Sequence, residues 1–421
     1  MKRSTTMRAV LAAALSLSLA ACGGLQIDQA KSNLSRDLAP AVPDADAKAL
    51  AEGNAAFAAD LFKQVRGSGN AMVSPYSVSL ALAMTWAGAK GETEAAMAKA
   101  LRFGLPQDQL HPAFDKLDLA LASRGQGAQG KDGKPFRLTI ANAAWGQKDF
   151  AFVPAYLDRL AVSYGAGVNL LDFALAPEDA RRTINDWVAD KTEDRSKDLR
   201  SEGSIDGATR LVLTNAVYFN AAWAQKFEPS ATSDAGFKLG DGTAVSVPTM
   251  HGTVGGAMGE GADFTAAELP YSGGDTSMVV VLPKTGSLDD FVASLDGAKL
   301  AAIGASLKPS EMQVSLPKFK FEFKQGLAQA LTALGMGVAF TGDAAFSGIH
   351  ADGGLLITDV IHQTFVAVDE DGTEAAAATA VVLGKTSVAA NQFTVDRPFL
   401  FLIRDVQTGT AIFLGQVADP R

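Results

Sequence analysis

The chain of 421 residues is 48% hydrophobic and 20% charged, a globular composition with ample apolar material for a large core. Its formal net charge of −9 argues against nucleic acid and polyanion cofactors as partners. A single cysteine, Cys22, excludes any disulfide within the molecule, so stability in an oxidising compartment must come from the core.

Lys2, Arg3 and Arg8 form a positive start, and residues 9–19 follow as a short apolar run. That run is too short for a permanent membrane helix, and residues 1–21 read as a secretory signal. Leu19-Ala20-Ala21-Cys22-Gly23 resembles the lipobox of bacterial lipoproteins. The resemblance implies cleavage before Cys22, acylation of its thiol and new amino terminus, and a membrane anchor in the cell envelope. The periplasmic and surface faces both stay open. Gly23, in place of an Asp, resembles lipoproteins passed to an outer membrane; an ordinary cleaved signal with a chance cysteine is the plainer alternative. Residues 1–21 carry three cations and no acid, so their removal takes the formal charge from −9 to −12.

Residues 22–46 are polar, contain Pro40 and Pro43, and read as a flexible tether. No second linker and no internal repeat follows, which predicts one large domain over residues 47–421. Apolar residues at helical spacing predict helices over 47–66, over 77–101 apart from Gly88 and Gly91, and over 181–191. Runs rich in β-branched and apolar residues predict buried strands over 210–219, 277–283, 312–316, 364–368, 399–403 and 411–414. The glycine-rich patch 252–261 reads as a loop between strands. Helices dominate the first half and strands the second, an α+β pattern rather than a βαβ alternation.

Catalytic signatures are missing. The chain has no Gly-x-Ser-x-Gly elbow, no phosphate-cradling glycine loop and no Cys/His metal spacing. His111, His251, His350 and His362 are scattered, with no pair four residues apart. The expectation is a protein that is not an enzyme and that uses neither metal nor cofactor.

The stretch from Phe365 to Phe393 breaks local rules. A strand ends in Asp369-Glu370-Asp371, and Gly372, Thr373, Glu374 and the four residues Ala375, Ala376, Ala377 and Ala378 follow. Four alanines favour a helix, so a short surface helix or a plain loop is one reading. As a strand, Thr373, Ala375, Ala377, Thr379, Val381 and Leu383 would share one face. Small residues at the leading end would slip between two existing strands, and larger ones behind would bury surface. Such a segment is tolerable outside a sheet and better inside one.

Asp369 to Thr379, followed by Asp396-Arg397-Pro398-Phe399, resembles the hinge and downstream strand of the serpin family. Further matches keep the family's order. They are Ser74-Pro75-Tyr76-Ser77, the run from Thr214 to Trp223, Phe227-Glu228-Pro229, the run from Leu316 to Lys320, the run from Leu334 to Phe340, and the closing run from Phe413 to Pro420. Coverage runs from about residue 50 to the end.

The resemblance implies a fold of three β-sheets and eight to nine helices with an exposed reactive-centre loop. It implies a serine protease inhibitor that acts as a suicide substrate, its loop cut by the protease and then inserted into the main sheet. By position, Gly372 would give the hinge rotational freedom, Thr373 would enter the sheet first, and Ala375 to Ala378 would follow. Glu370 and Lys318 would pair at the top of the sheet, beside the packing residue Trp223. Ser74, Ser77, Asn215 and His362 would form a polar cluster beneath the opening point; the plainer reading is that they satisfy a core. Counting seventeen residues from Glu370 places the reactive bond at Thr386-Ser387, and a shift of one puts Lys385 before the cut. Threonine suits elastase-like or subtilisin-like proteases and lysine suits trypsin-like ones. A monomer is expected. The alternative is a non-inhibitory serpin-fold surface binding protein, although no charge, proline or bulky side chain obstructs the hinge. Lys116, Arg124 and Lys131 are too dispersed to support a heparin-like activator.

Overall fold

A computed structural model describes residues 27–373 and 391–421. Nine α-helices occur among them: α1 Asp44–Val65, α2 Pro75–Trp86, α3 Gly91–Ala100, α4 Gln107–Ala122, α5 Pro154–Tyr164, α6 Pro177–Lys191, α7 Leu288–Ala293, α8 Gly297–Ser306 and α9 Ala328–Leu331. The early strands are β1 Gln29–Ala30, β2 Ala71–Val73, β3 Arg137–Gln147, β4 Val168–Leu171, β5 Leu211–Ala222, β6 Ser233–Lys238, β7 Ala244–Glu260 and β8 Phe264–Pro270. The later ones are β9 Thr276–Pro283, β10 Lys308–Pro317, β11 Phe319–Gly326, β12 Val360–Asp369, β13 Gly372–Thr373, β14 Asn391–Thr394, β15 Phe399–Asp405 and β16 Ala411–Val417.

Burial follows the apolar spacing. In α1, Leu50, Asn54, Phe57, Leu61, Phe62 and Val65 lie on one buried face, Asp44 and Asp46 sit in the first turn, and Lys63 in the last. The helix predicted over 77–101 is two helices, α2 and α3. It breaks at Gly88, where an added Cβ would lie 2.1 Å from the Ile349 side chain. Every position of α2 and of β5 is buried, so both run through the interior.

The main sheet runs β1-β4-β3-β5-β13-β12-β11. β5 and β12 pair directly, in parallel, only where Val360–Gln363 meet Leu213–Ala216; higher up, β13 lies between them. The other described strands form one nine-stranded sheet instead of the second and third sheets expected. The reason is β7, whose seventeen residues pair first with β6 (244–249), then with β10 (249–258) and at the far end with β8 (257–260), so the two halves are continuous. The glycine-rich patch 252–261, read as a loop, lies in β7 up to Glu260.

The tether is also corrected. Residues 27–43 lie along the body: β1 pairs with β4, Ser32 Oγ donates to Asp158 at 2.5 Å, and the Asp37 N–H donates to the Val162 carbonyl at 3.0 Å. Arg36 pairs with Asp115 and Asp118, each at 2.7 Å. Ordinary polar composition hid a segment held by edge pairing and charge. Among the described residues, no helix is long and apolar enough to cross a membrane.

Candidate functional site: a hinge seated at the top of the main sheet

β12 ends in a tight turn, Asp369–Gly372, that sends the chain back as β13. β13 pairs on both sides: Thr373 stands opposite Val368 of β12 and Ala221 of β5, and Gly372 opposite Asp369 and Ala222. Gly372 has φ +150°, and an added Cβ would lie 2.2 Å from the Ala221 carbonyl oxygen. The glycine is therefore required by backbone approach as well as by conformation.

Thr373 is buried to 2% exposure, and its Oγ1 shares a hydrogen bond of 2.6 Å with the Tyr271 hydroxyl. Burial pushes the Tyr271 phenol up, against the opposing pull of Thr373, so it stays protonated. The Tyr271 ring stacks on Trp223 with centroids 4.7 Å apart. The Trp223 indole N–H donates to the Asp369 carbonyl at 2.9 Å, while the Trp223 and Phe227 backbone N–H groups donate to the Asp371 and Glu370 carbonyls. Trp223 thus ties the turn to the end of β5.

Each acid of the turn meets a lysine. Lys318, between β10 and β11, lies 2.7 Å from Glu370, which also accepts from Thr232 at 2.7 Å. Burial pushes the Glu370 carboxyl up, but the Lys318 and Thr232 hydrogen bonds outweigh it and hold the group below its usual range. Lys226 lies 2.8 Å from Asp371, and Lys131 2.5 Å from Asp369.

Lower down, where β5 touches β12, His362 joins two elements. Its Nε2 accepts from the Ser74 backbone N–H at 2.9 Å, so Nδ1 carries the proton and donates to Asn215 Oδ1 at 2.5 Å. Burial lowers its pKa to about 3, which keeps the ring neutral. Asn215 Nδ2 donates to Ser77 Oγ at 2.7 Å and to Asn142 Oδ1 at 2.8 Å, and Ser77 Oγ donates to Asn142 Oδ1 at 2.9 Å. All four expected members meet. Ser74 contributes its backbone, since its hydroxyl has no hydrogen bond among the described residues.

Sequence reasoning missed Asn142, Tyr271, Thr232, Lys226 and Lys131. Nothing local marks them; they come from segments remote in the chain. Cys22, Glu374, Ala375, Ala376, Ala377, Ala378, Lys385, Thr386 and Ser387 lie outside the described residues. Beyond that interval β14 resumes in parallel with β10, Asn391 opposite Met312.

The model of one protein family, Serpin (serine protease inhibitor), matches residues 52–420. An uncharacterised serpin-like protein of Thermococcus kodakarensis is 37% identical, over 87% of this chain and 84% of its own. The leukocyte elastase inhibitor of Bos taurus is 36% identical, over 88% of this chain and 99% of its own. Among solved structures, the thermophilic serpin tengpin in its native state superposes with a TM-score of 0.81 at 30% identity, covering 94% of this chain and all of that one.

Proposed function

This chain belongs to the serpin family of serine protease inhibitors, and from that premise we propose that it inhibits by loop cleavage followed by insertion of the hinge into the main sheet. The observation that carries the reading is the seated hinge, because Gly372 and Thr373 already pair with both strands between which an inserted segment would lie. Continuing that register would bring Ala375 between Phe219 and Val366, Ala377 between Val217 and Thr364, and Thr379 between Asn215 and His362. Insertion on this path separates β5 from β12 where they now pair and replaces the Asn215–His362 bond.

In the chemical step the protease serine oxygen attacks the carbonyl of the residue before the reactive bond. An ester forms, the peptide C–N bond breaks, and the new amine leaves with a proton. Insertion then pulls the acylated protease away before water can release it. Thr386-Ser387 is our reactive bond, with Lys385 as the alternative. The resemblance to a leukocyte elastase inhibitor supports an elastase-like target for the threonine.

The test is incubation of the mature protein with elastase, subtilisin and trypsin, followed by denaturing electrophoresis and sequencing of the released C-terminal peptide. An SDS-resistant complex and a peptide beginning at Ser387 are expected. Clean cleavage by all three with no complex would overturn the reading in favour of a surface binding scaffold.

Our reading of Cys22 is a lipid anchor in the cell envelope. Palmitate incorporation that disappears in Cys22→Ala is the expected result, and incorporation unchanged by that substitution would refute it.

A further inference from the structure

Asp369, Glu370 and Asp371 place three carboxylates in one tight turn, where like charges oppose closure. Lysines from three separate segments offset them. Lys131 differs from the other two. Its side chain is fully buried, whereas Asp369 keeps 24% exposure. A buried ammonium is retained only where a carboxylate compensates its lost hydration.

The loop that carries Lys131 is fastened to the upper end of β5. The Lys131 N–H donates to Asn220 Oδ1 at 2.7 Å, and the Ala222 N–H donates to the Gln129 carbonyl at 3.0 Å. Ala222 is also the register partner of Gly372. One short stretch, Gln129 to Lys131, therefore touches the strand that receives the hinge and the turn that delivers it.

We propose that Lys131 is a positioning residue for the hinge: by neutralising Asp369 it closes the turn that seats Gly372 and Thr373 in the sheet. The kinetic consequence rests on the inhibitory reading above. A seated hinge has taken its first insertion step before cleavage, which favours trapping over release. It also draws the loop toward the sheet, which slows capture of the protease. Loss of the Lys131 charge acts on the two steps in opposite directions.

The test uses Lys131→Met, which keeps length and apolar stem while removing charge, and Asp369→Asn, which alters the same pair from its more exposed side. Hydrogen exchange of the uncleaved protein is read first. About tenfold faster deuterium uptake is expected at Gly372 and Thr373 in either variant; the urea midpoint of the whole protein stays little changed in Lys131→Met and falls in Asp369→Asn, which takes the carboxylate from a buried ammonium. Trp223 fluorescence, reporting the indole bonded to Asp369, should shift with it. With protease, faster association and more inhibitor consumed per enzyme inactivated are expected together, a split that general destabilisation does not produce. Unchanged exchange at 372–373 in a folded variant would overturn the proposal; if Lys131→Met does not fold, Asp369→Asn decides. Absence of any complex with the unaltered protein would instead remove the inhibitory reading, leaving the exchange result to judge the hinge.

Discussion

At position 373 a small side chain with one hydroxyl is buried against Tyr271 beside the Trp223 stack. A cation cannot be placed there without losing its hydration. Thr373→Arg should therefore turn the protein from inhibitor into substrate: cleavage continues while the SDS-resistant complex disappears. Unchanged complex formation would argue against insertion through this position. His362 makes a second residue-level case, because a proton on Nε2 would face the Ser74 N–H with a donor in place of an acceptor. The folded pKa of about 3 lies below the ordinary 6.5, so the unfolded chain takes the proton first. This contribution is complete above about pH 6.5 and is lost as pH falls toward 3, at up to about 1.4 kcal/mol per unit. Urea titrations at stepped pH should show a shallower loss over that window in His362→Gln than in the unaltered chain.

Among the elements, the segment before α1 shows how tertiary contact overrides composition. Its residues are polar and carry two prolines, which is why they read as a tether. Arg36 nevertheless reaches Asp115, whose side chain is only 1% exposed. Burial pushes the Asp115 carboxyl up even with Arg36 against it. Arg36→Ala would leave that acid without its cation. The expected loss is roughly 2–3 kcal/mol, below the usual figure for a buried pair because Arg36 itself is partly exposed. A lower urea midpoint, partly restored by adding Asp115→Asn, is the expected measurement. The helices and strands with strong periodicity were legible with end errors of a few residues, as for α1, α6, β9 and β15. The break between α2 and α3 falls at Gly88 and Gly91, which the sequence set apart; the packing of Ile349 that leaves no room for a Cβ at Gly88 was not legible, because Ile349 lies far along the chain.

For the whole molecule, the arrangement of β5 and β12 sets the behaviour. Every residue of β5 is buried, and among the described residues its pairing with β12 is confined to the lower end, with β13 lying between the two strands at the top. On the inhibitory reading proposed above, an inserted segment would part the two strands at that lower end. The register also orients the N-terminal segment. Ala30 pairs with Val168, Val168 with Ala144, and Ala144 with Leu213, so β1 lies near the end of β5 farthest from Gly372. With a rise of roughly 3.3 Å per residue, that separation along the sheet is about 30 Å. A chain anchored at Cys22 would thus be held by the pole opposite its hinge.

Fold class, family and the order of the hinge residues are legible along the chain, because these depend on local periodicity and on motifs that survive as short strings. The sequence also identified Glu370 with Lys318 and the group Ser74, Ser77, Asn215 and His362. Tertiary structure alone decided that Gly372 and Thr373 are seated in the sheet, that Tyr271 receives Thr373, and that Lys131 is buried against Asp369. Read along the chain, Lys131 was one of three dispersed cations; only the packing of its loop on the top of β5 removes it from water and gives its charge a partner.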